Sequence, residues 1–414
     1  MAGMKRILFR GWWIVIVSII GQAFGLASML IYTFGVFAKP LAAEFKTSRG
    51  SIALAVSLID IILAITAPGA GRLVDRYGAR GVIVGSLLAL QASLVALCFV
   101  QPPLWRFYAL YAFAGLVSVA TTPVTYSRVI ANWFDRRRGF ALGLASTGVG
   151  LGAFMGPSLA QFLIDRSGWR HAYLGLASIG FAIAVPVVGI FLRGTPEEVG
   201  LSPDGIPASP SSPDTYPPGI TVFEALKSRT FWQLSAIFFC VGACGNGIIA
   251  HLAPLLTDHG VNAQRAAFAT SLFGIATIAG RVGNGYLIDR FFAPRVTAIL
   301  FSGAAIGAVI LWIGGTGYSA FAASALLGLA IGAEADVMPF LISRYFGMCS
   351  MAELYGCVFG AYTLGNATGR YLMAVGYDAT GSYQIPLACG FAALVIAVSA
   401  TLLLREYPKF AATS

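Results

Sequence analysis

The sequence predicts an all-α membrane protein of twelve transmembrane helices in two pseudo-symmetric six-helix bundles. Three observations predict it. The chain is 57% hydrophobic and only 11% charged, with a mean hydropathy of +0.79, which excludes an ordinary soluble globular protein. Its apolar residues fall into blocks near the roughly 20 residues that a helix needs to cross the hydrocarbon core. The chain also repeats itself: Gly71-x-x-x-Asp75-Arg76 recurs as Gly285-x-x-x-Asp289-Arg290, and Gly139, Gly143, Gly148 and Gly152 recur as Gly356, Gly360, Gly365 and Gly369. Offsets of 214 and 217 residues mark two copies of one membrane unit, an arrangement typical of transporters.

The twelve blocks run over 12–37, 51–71, 81–101, 104–131, 139–163 and 171–192, then 230–257, 266–288, 294–314, 317–343, 352–375 and 384–404. Alternating segments of about ten residues, the mark of an outer-membrane barrel, are absent. Lys5, Arg6 and Arg10 precede the first block and no A-x-A-like site follows it, so it reads as a retained span. Residues 1–193 form the first bundle, 194–229 a proline-rich linker and 230–414 the second bundle. The stretch 194–220 is dense in proline and small polar residues and predicts an extended, mobile connection. The glycines of the fifth span (Gly148, Gly150, Gly152, Gly156) and the eleventh (Gly360, Gly365, Gly369) let helices approach closely. They suit either a contact across the pseudo-twofold axis or ordinary tight packing.

A net charge of +10 invites a nucleic-acid reading, but its distribution is topological. With both termini cytoplasmic, 17 Lys and Arg fall on cytoplasmic segments, 7 on outer loops, and Arg128, Arg281 and Arg370 inside spans. That bias is the positive-inside pattern and implies a multi-pass protein of the cytoplasmic membrane, in lipid, with no nucleic-acid partner. The six cysteines lie in or beside spans, and no His or acidic residue completes a ligand set with Cys240 and Cys244, so no metal is expected. No catalytic or phosphate-cradling set is visible; the chain reads as neither an enzyme nor a cofactor protein.

The loop Gly71-Arg-Leu-Val-Asp75-Arg76-Tyr-Gly78-Ala-Arg80 resembles the G-x-x-x-D-R-x-G-x-[RK] signature of the major facilitator superfamily. Asp75, Arg76 and Arg80, with Asp289 and Arg290 in the second copy, form a conformational latch in this reading: Asp75 sits at a helix end and pairs with the arginines. Trp133-Phe134-Asp135-Arg136-Arg137-Arg138-Gly139, Pro196-Glu-Glu-Val-Gly200, and Tyr345-Phe346 followed by Tyr355-Gly356 resemble segments of the monocarboxylate transporters and oxalate/formate antiporters. The resemblance implies the major facilitator fold and a small organic anion as substrate.

Arg281 is the strongest pointer to a site. It lies eight residues before Asp289, about 12 Å inside the membrane. An arginine there costs about 2.5–3.5 kcal/mol and needs a partner; its planar fork suits a carboxylate. In the resembled family an arginine on this helix binds the substrate carboxylate, and Arg281 matches it. The bland alternative is an ion pair with an acid of the tenth span, where Glu334 and Asp336 lie at similar depth. Together with Asp60 of the second span they are the candidate proton carriers, since burial favours the neutral form of a carboxyl. His251, Tyr32, Tyr126, Asn284 and Tyr362 are candidate substrate contacts, as is Asn246. Arg128 and Arg370 read as interfacial, snorkelling to headgroups. The chain departs from the resembled proton-coupled members, which carry a lysine on the first helix and an aspartate one turn before the eighth-helix arginine. Here the first span has no charge and Thr277 stands four residues before Arg281. One deep cation favours a monocarboxylate, carried with a proton by a protein that needs no second copy. Organic-anion exchange and drug/proton antiport are the alternatives, the latter because Gly156-Pro157 resembles the antiporter motif of such exporters.

Overall fold

A computed structural model describes residues 10–205 and 219–408. The named elements among them are all helices. The chain divides into two compact units, Met1–Thr215 and Tyr216–Ser414.

In the first unit α1 (Arg10–Ala23), a π-helical turn (Ala27–Ile31) and α2 (Phe34–Glu44) make the first span. The second is α3 (Arg49–Tyr77) and the third α4 (Ala79–Cys98). The fourth is split into α5 (Leu104–Val117) and α6 (Pro123–Trp133). One run, α7 (Arg138–Phe191), carries the fifth and sixth spans and turns at Gly168 (φ 79°), a conformation that glycine adopts without steric cost. The second unit opens with the short α8 (Val222–Lys227) and continues with α9 (Arg229–Asp258), α10 (Ala263–Ile288), α11 (Ala293–Trp312), α12 (Tyr318–Phe346), α13 (Met351–Thr380) and α14 (Gln384–Leu402). Nine helical stretches among the described residues are long and apolar enough to cross a membrane. One of them, α7, crosses twice; the split fourth span and the more polar α13 complete the twelve.

The breaks in the first and fourth spans answer each other. In lipid, backbone groups released by a break must find partners in neighbouring helices. Here Leu26 N–H donates to Thr121 Oγ1 at 2.9 Å, and Pro123 opens α6 at a position where its missing N–H costs nothing.

The repeated glycines serve packing within each bundle. A Cβ at Gly148 would fall against Ile19 O, and one at Gly152 lies 2.8 Å from Ala23 O. In the second unit Gly365 and Gly369 meet Phe239 O and Ala243 O in the same way. The repeat thus encodes one helix pair twice: first span with fifth, seventh with eleventh. Of the two uses considered for these glycines, the close packing seen at these four is with a helix of their own bundle, while Gly150 faces open space.

Each unit has an end that carries the Gly-x-x-x-Asp-Arg motif, called here the motif end. Asp75 there pairs with Arg128 of α6 (Oδ1 to Nε, 3.2 Å) and both are nearly buried. This corrects the reading of Arg128, which does not snorkel, and brings to Asp75 an arginine that the motif itself does not contain. Arg76 stacks on Tyr77, and Arg80 donates to Gly189 O near the end of α7 (Nε, 2.8 Å). An arginine on the helix that packs beside the motif thus reaches the Asp75 carboxylate from outside the motif's own exposed turn.

Residues 194–205 are more ordered than their composition predicts. Thr195 and Glu198 form a reciprocal capping box. The Asp204 carboxylate accepts Arg136 N–H at 3.0 Å and Asp135 N–H at 3.3 Å. Asn132 and Trp133 donate to Gly194 O and Arg193 O, each at 3.0 Å. Local side-chain caps thus replace the missing apolar core. Residues 206–218, the rest of the expected linker, lie outside the described residues, as do Lys5, Arg6 and Lys409. The second unit repeats the tie: Tyr345 donates to Arg405 O at 2.5 Å. Trp133 and Tyr345 stand 212 residues apart, as do Arg193 and Arg405. The chain leaving the last span of each unit is therefore fastened by an aromatic donor at the same place.

Candidate functional site

The polar residues of the second unit gather where α9, α10, α12 and α13 meet, and glycines set the meeting. On α12, a Cβ at Gly328 would fall against Phe273 O and one at Gly332 against Thr277 O. On α10, Gly280 faces Leu329 O in the same way. Phe273, Thr277 and Arg281 follow one another at helical i,i+4 spacing, as do Gly328, Gly332 and Asp336. Carried one turn further, the glycine stripe sets Arg281 alongside Asp336, which is fully buried.

Glu334, only 5% exposed, faces another side of α12. Its carboxylate accepts a hydrogen bond from Tyr362 of α13 and lies within the electrostatic reach of Arg281 and Asp336. Oε2 of Glu334 has no hydrogen-bond partner among the described residues. Tyr362 Oη accepts from Asn246 Nδ2 of α9 at 3.1 Å. The Asn246 amide also meets the Asn366 amide at 2.9 Å, and Asn366 faces the carbonyls of Gly242 and Tyr362 at 3.2 Å. A polar chain thus runs Asn366, Asn246, Tyr362, Glu334, Arg281 through four largely apolar helices. Desolvation makes each member depend on the others.

Of the residues expected at the site, Arg281, Glu334, Asp336 and Tyr362 come together, and Asn246 joins them. Asn284 does not line open space: it is 2% exposed and donates to Ala333 O at 3.3 Å, bonding α10 to α12. His251 lies about 7 Å further along α9 and meets the Tyr383 hydroxyl at 3.3 Å. Tyr32, Tyr126 and Asp60 belong to the first unit. Tyr126 is 1% exposed and packs on Gly21 of α1, its ring 2.7 Å from where a Cβ would stand; this makes it a core residue of that unit. Tyr32 is 42% exposed. Asp60 is half-buried beside Ile59, which packs on Gly115 of α5. Arg290 of the second motif copy lies over the Tyr286 ring at 4.0 Å; Asp289, next to it, is half-buried.

Two residues carry more than their sequence positions suggest. Asn366 stands four residues after Tyr362 and four before Arg370, a polar stripe legible as i,i+4 spacing. Arg370 donates from Nε to Asn366 O at 3.3 Å. That bond ties it to its own helix one turn beyond Asn366.

The described residues contain no group of three or more His, Cys, Asp or Glu able to hold a metal ion. A family model described as the Major Facilitator Superfamily matches residues 20–372. Mouse monocarboxylate transporter 11 is 26% identical over 389 residues, covering 90% of this chain and 83% of its own. The uncharacterized MFS-type transporter YhjX of Escherichia coli (strain K12) is 25% identical over 361 residues, covering 86% and 85%. Among solved structures, the human organic anion transporter MFSD10 superposes with a TM-score of 0.71 at 12% identity, over 94% of this chain and 99% of its own. A variant of the E. coli fucose:proton symporter FucP gives 0.67 at 15%, over 96% and 98%. At these identities the superpositions establish the fold alone.

Proposed function

The chain belongs to the Major Facilitator Superfamily, and from that premise we propose that it carries a small monocarboxylate of the lactate or pyruvate kind across the cytoplasmic membrane, together with a proton, by alternating access. One observation carries the reading: a half-buried arginine and a buried glutamate share a single polar chain inside an apolar bundle. The monocarboxylate transporters among its relatives support the substrate class.

Arg281 is the anion site in this mechanism. Its guanidinium presents parallel donors that match a carboxylate, and Asp336 on the adjoining stripe steadies it. When the substrate carboxylate arrives, Glu334 becomes a second negative charge near the same cation, and the two repel. A proton taken up at Glu334 removes that repulsion. Substrate and proton then cross as a neutral pair, avoiding about 2.3 kcal/mol per charge per 100 mV. Tyr362 and Asn246 hold Glu334 in place through both forms. The lysine and aspartate that serve the resembled proton-coupled members are absent here, and Glu334 supplies the missing acid from a different helix.

The test is uptake of labelled L-lactate and pyruvate into proteoliposomes with and without an inward proton gradient. Wild type should accumulate substrate under the gradient. Arg281→Ala should lose uptake under every condition. Glu334→Gln should lose the response to the gradient while still exchanging internal for external substrate. Gradient-driven uptake that survives Glu334→Gln would remove Glu334 from the mechanism; absence of all uptake by folded wild type would remove the substrate class.

One observation favours a second reading, exchange of larger organic anions. Arg370 donates to the Asn366 backbone carbonyl one turn earlier on α13, which sets a second cation near the polar chain. Under that reading a dicarboxylate inside the vesicle, not a pH gradient, drives uptake, and Arg370→Gln removes it.

A further inference from the structure

A groove of about 570 Å³ opens on the outer surface of the second unit. Its walls are Ile299, Gly303 and Ile306 of α11, Leu326 and Leu329 of α12, and Leu402 of α14; Arg295 lines it at the motif end. We propose that this groove seats one acyl chain of an anionic phospholipid, with the lipid phosphate held at Arg295.

Length and chemistry agree. From Arg295 to Ile306 the helix rises about 16 Å, and one leaflet of hydrocarbon is about 15 Å deep. The groove therefore runs the depth of a single lipid chain, apolar along its length apart from Ser302 and cationic at the one end where a headgroup lies. Ile299 and Ile306 are well exposed, and Gly303 deepens the channel: a Cβ there would meet only Leu326 Cδ2, at 3.5 Å.

The internal repeat shows that Arg295 is not held by the fold. Its counterpart in the first unit, Arg80, donates to Gly189 O. From Asp75 to Arg80 is five residues, whereas from Asp289 to Arg295 is six. One added residue turns a side chain about 100° around a helix. Among the described residues the Arg295 side chain makes no hydrogen bond or ion pair and rests only over the Phe292 ring at 5.9 Å. The sequence thus moves an arginine from a helix carbonyl to the mouth of a lipid-length groove. Basic pockets between spans are known chemistry for anionic headgroups. The seat is independent of the role given to Arg281.

Native mass spectrometry of the full-length protein, purified in detergent and supplied with phosphatidylglycerol or phosphatidylcholine of identical chains, tests it. Wild type should retain one phosphatidylglycerol in preference to phosphatidylcholine. Arg295→Gln should weaken that retention about fivefold, the share of one basic residue near an anionic surface, and Arg295→Lys should restore most of it. Gly303→Leu, whose side chain enters the groove, should reduce retention of both lipids. An unchanged preference in Arg295→Gln overturns the proposal, as does unchanged retention in folded Gly303→Leu. Competition by glycerol phosphate as effective as that by the whole lipid also overturns it, because the chain would then contribute nothing.

Discussion

At the scale of single residues, the polar chain of the second unit has a strict order, and Tyr362 is its hinge. It accepts from Asn246 and donates to Glu334, so its hydroxyl is used on both sides. A hydrogen bond to a charged group contributes about 1.5–3 kcal/mol. Tyr362→Phe keeps the ring and removes both bonds. Gradient-driven uptake in this variant should fall about tenfold or more, while exchange of internal for external substrate falls less. Equal loss in the two assays would make Tyr362 a substrate contact instead. Asn246→Leu should act in the same direction, and the double variant should cost less than the sum of the two, since both bonds belong to one network. Arg281, Glu334 and Asp336 were legible in the sequence because charges stand out inside apolar spans. Asn366 was legible only through its i,i+4 spacing with Tyr362 and Arg370, because an amide in a glycine-rich helix carries no such signal. The pairing of Asp75 with Arg128 was hidden: the two lie 53 residues apart, and only the packing of α6 beside α3 joins them.

Whole helices show what the glycine repeat is for. Gly148 faces Ile19 O, whereas Gly150, two residues on, has nothing within 4 Å. Gly148→Ala should therefore overpack the pair of first and fifth spans and cost about 1–3 kcal/mol. Gly150→Ala should be neutral or stabilise by up to about 1 kcal/mol through lower backbone entropy. Thermal unfolding of the two variants in detergent reads the difference; equal shifts would mean that the helices do not approach as described. The spans themselves were legible from apolar length. Their interruptions were not, since the Ala27–Ile31 turn and the Ser118–Thr122 break lie inside apolar runs that read as continuous helix. The tail after α14 makes a second point at this scale. Tyr407 accepts Ala293 N–H at 3.2 Å, satisfying an orphan donor at the start of α11. Burial pushes its hydroxyl up to about 12, against the weaker opposing effects of that bond and of Arg344. A phenol that holds its proton more tightly when folded stabilises the fold below pH ~10, and that contribution is lost as pH rises towards 12. Protection of the Ala293 amide from exchange should fall over this window and should already be low in Tyr407→Phe.

For the whole molecule the remaining question is which way it crosses the membrane. Twelve crossings bring both ends of the chain to one side, so one bit of information fixes every loop. The sequence supplies it as a charge difference: 17 Lys and Arg on the segments that would be cytoplasmic, against 7 on the others. Among the described residues eight of the basic groups on the richer side also have local work: Arg80 and Arg193 donate to backbone carbonyls, Arg138 pairs with Asp135 at 3.3 Å, and Arg76, Lys227, Arg290, Arg295 and Arg344 lie over aromatic rings. Removing them leaves 9 against 7. Three of the outer arginines are similarly engaged, Arg170 with Glu44 at 2.7 Å, Arg166 with Phe162 at 4.6 Å and Arg106 with Trp105 at 5.9 Å, which leaves 9 against 4. The orienting bias is therefore not a by-product of structural pairing, and the positive-inside rule applies to what remains. A green fluorescent protein fused after Ser414 should fluoresce in intact bacterial cells, and alkaline phosphatase fused at the same place should be inactive. The opposite pair of results would invert the protein, place the Asp75–Arg128 pair and the Arg295 groove on the outer leaflet, and require the charge excess to be explained by something other than topology.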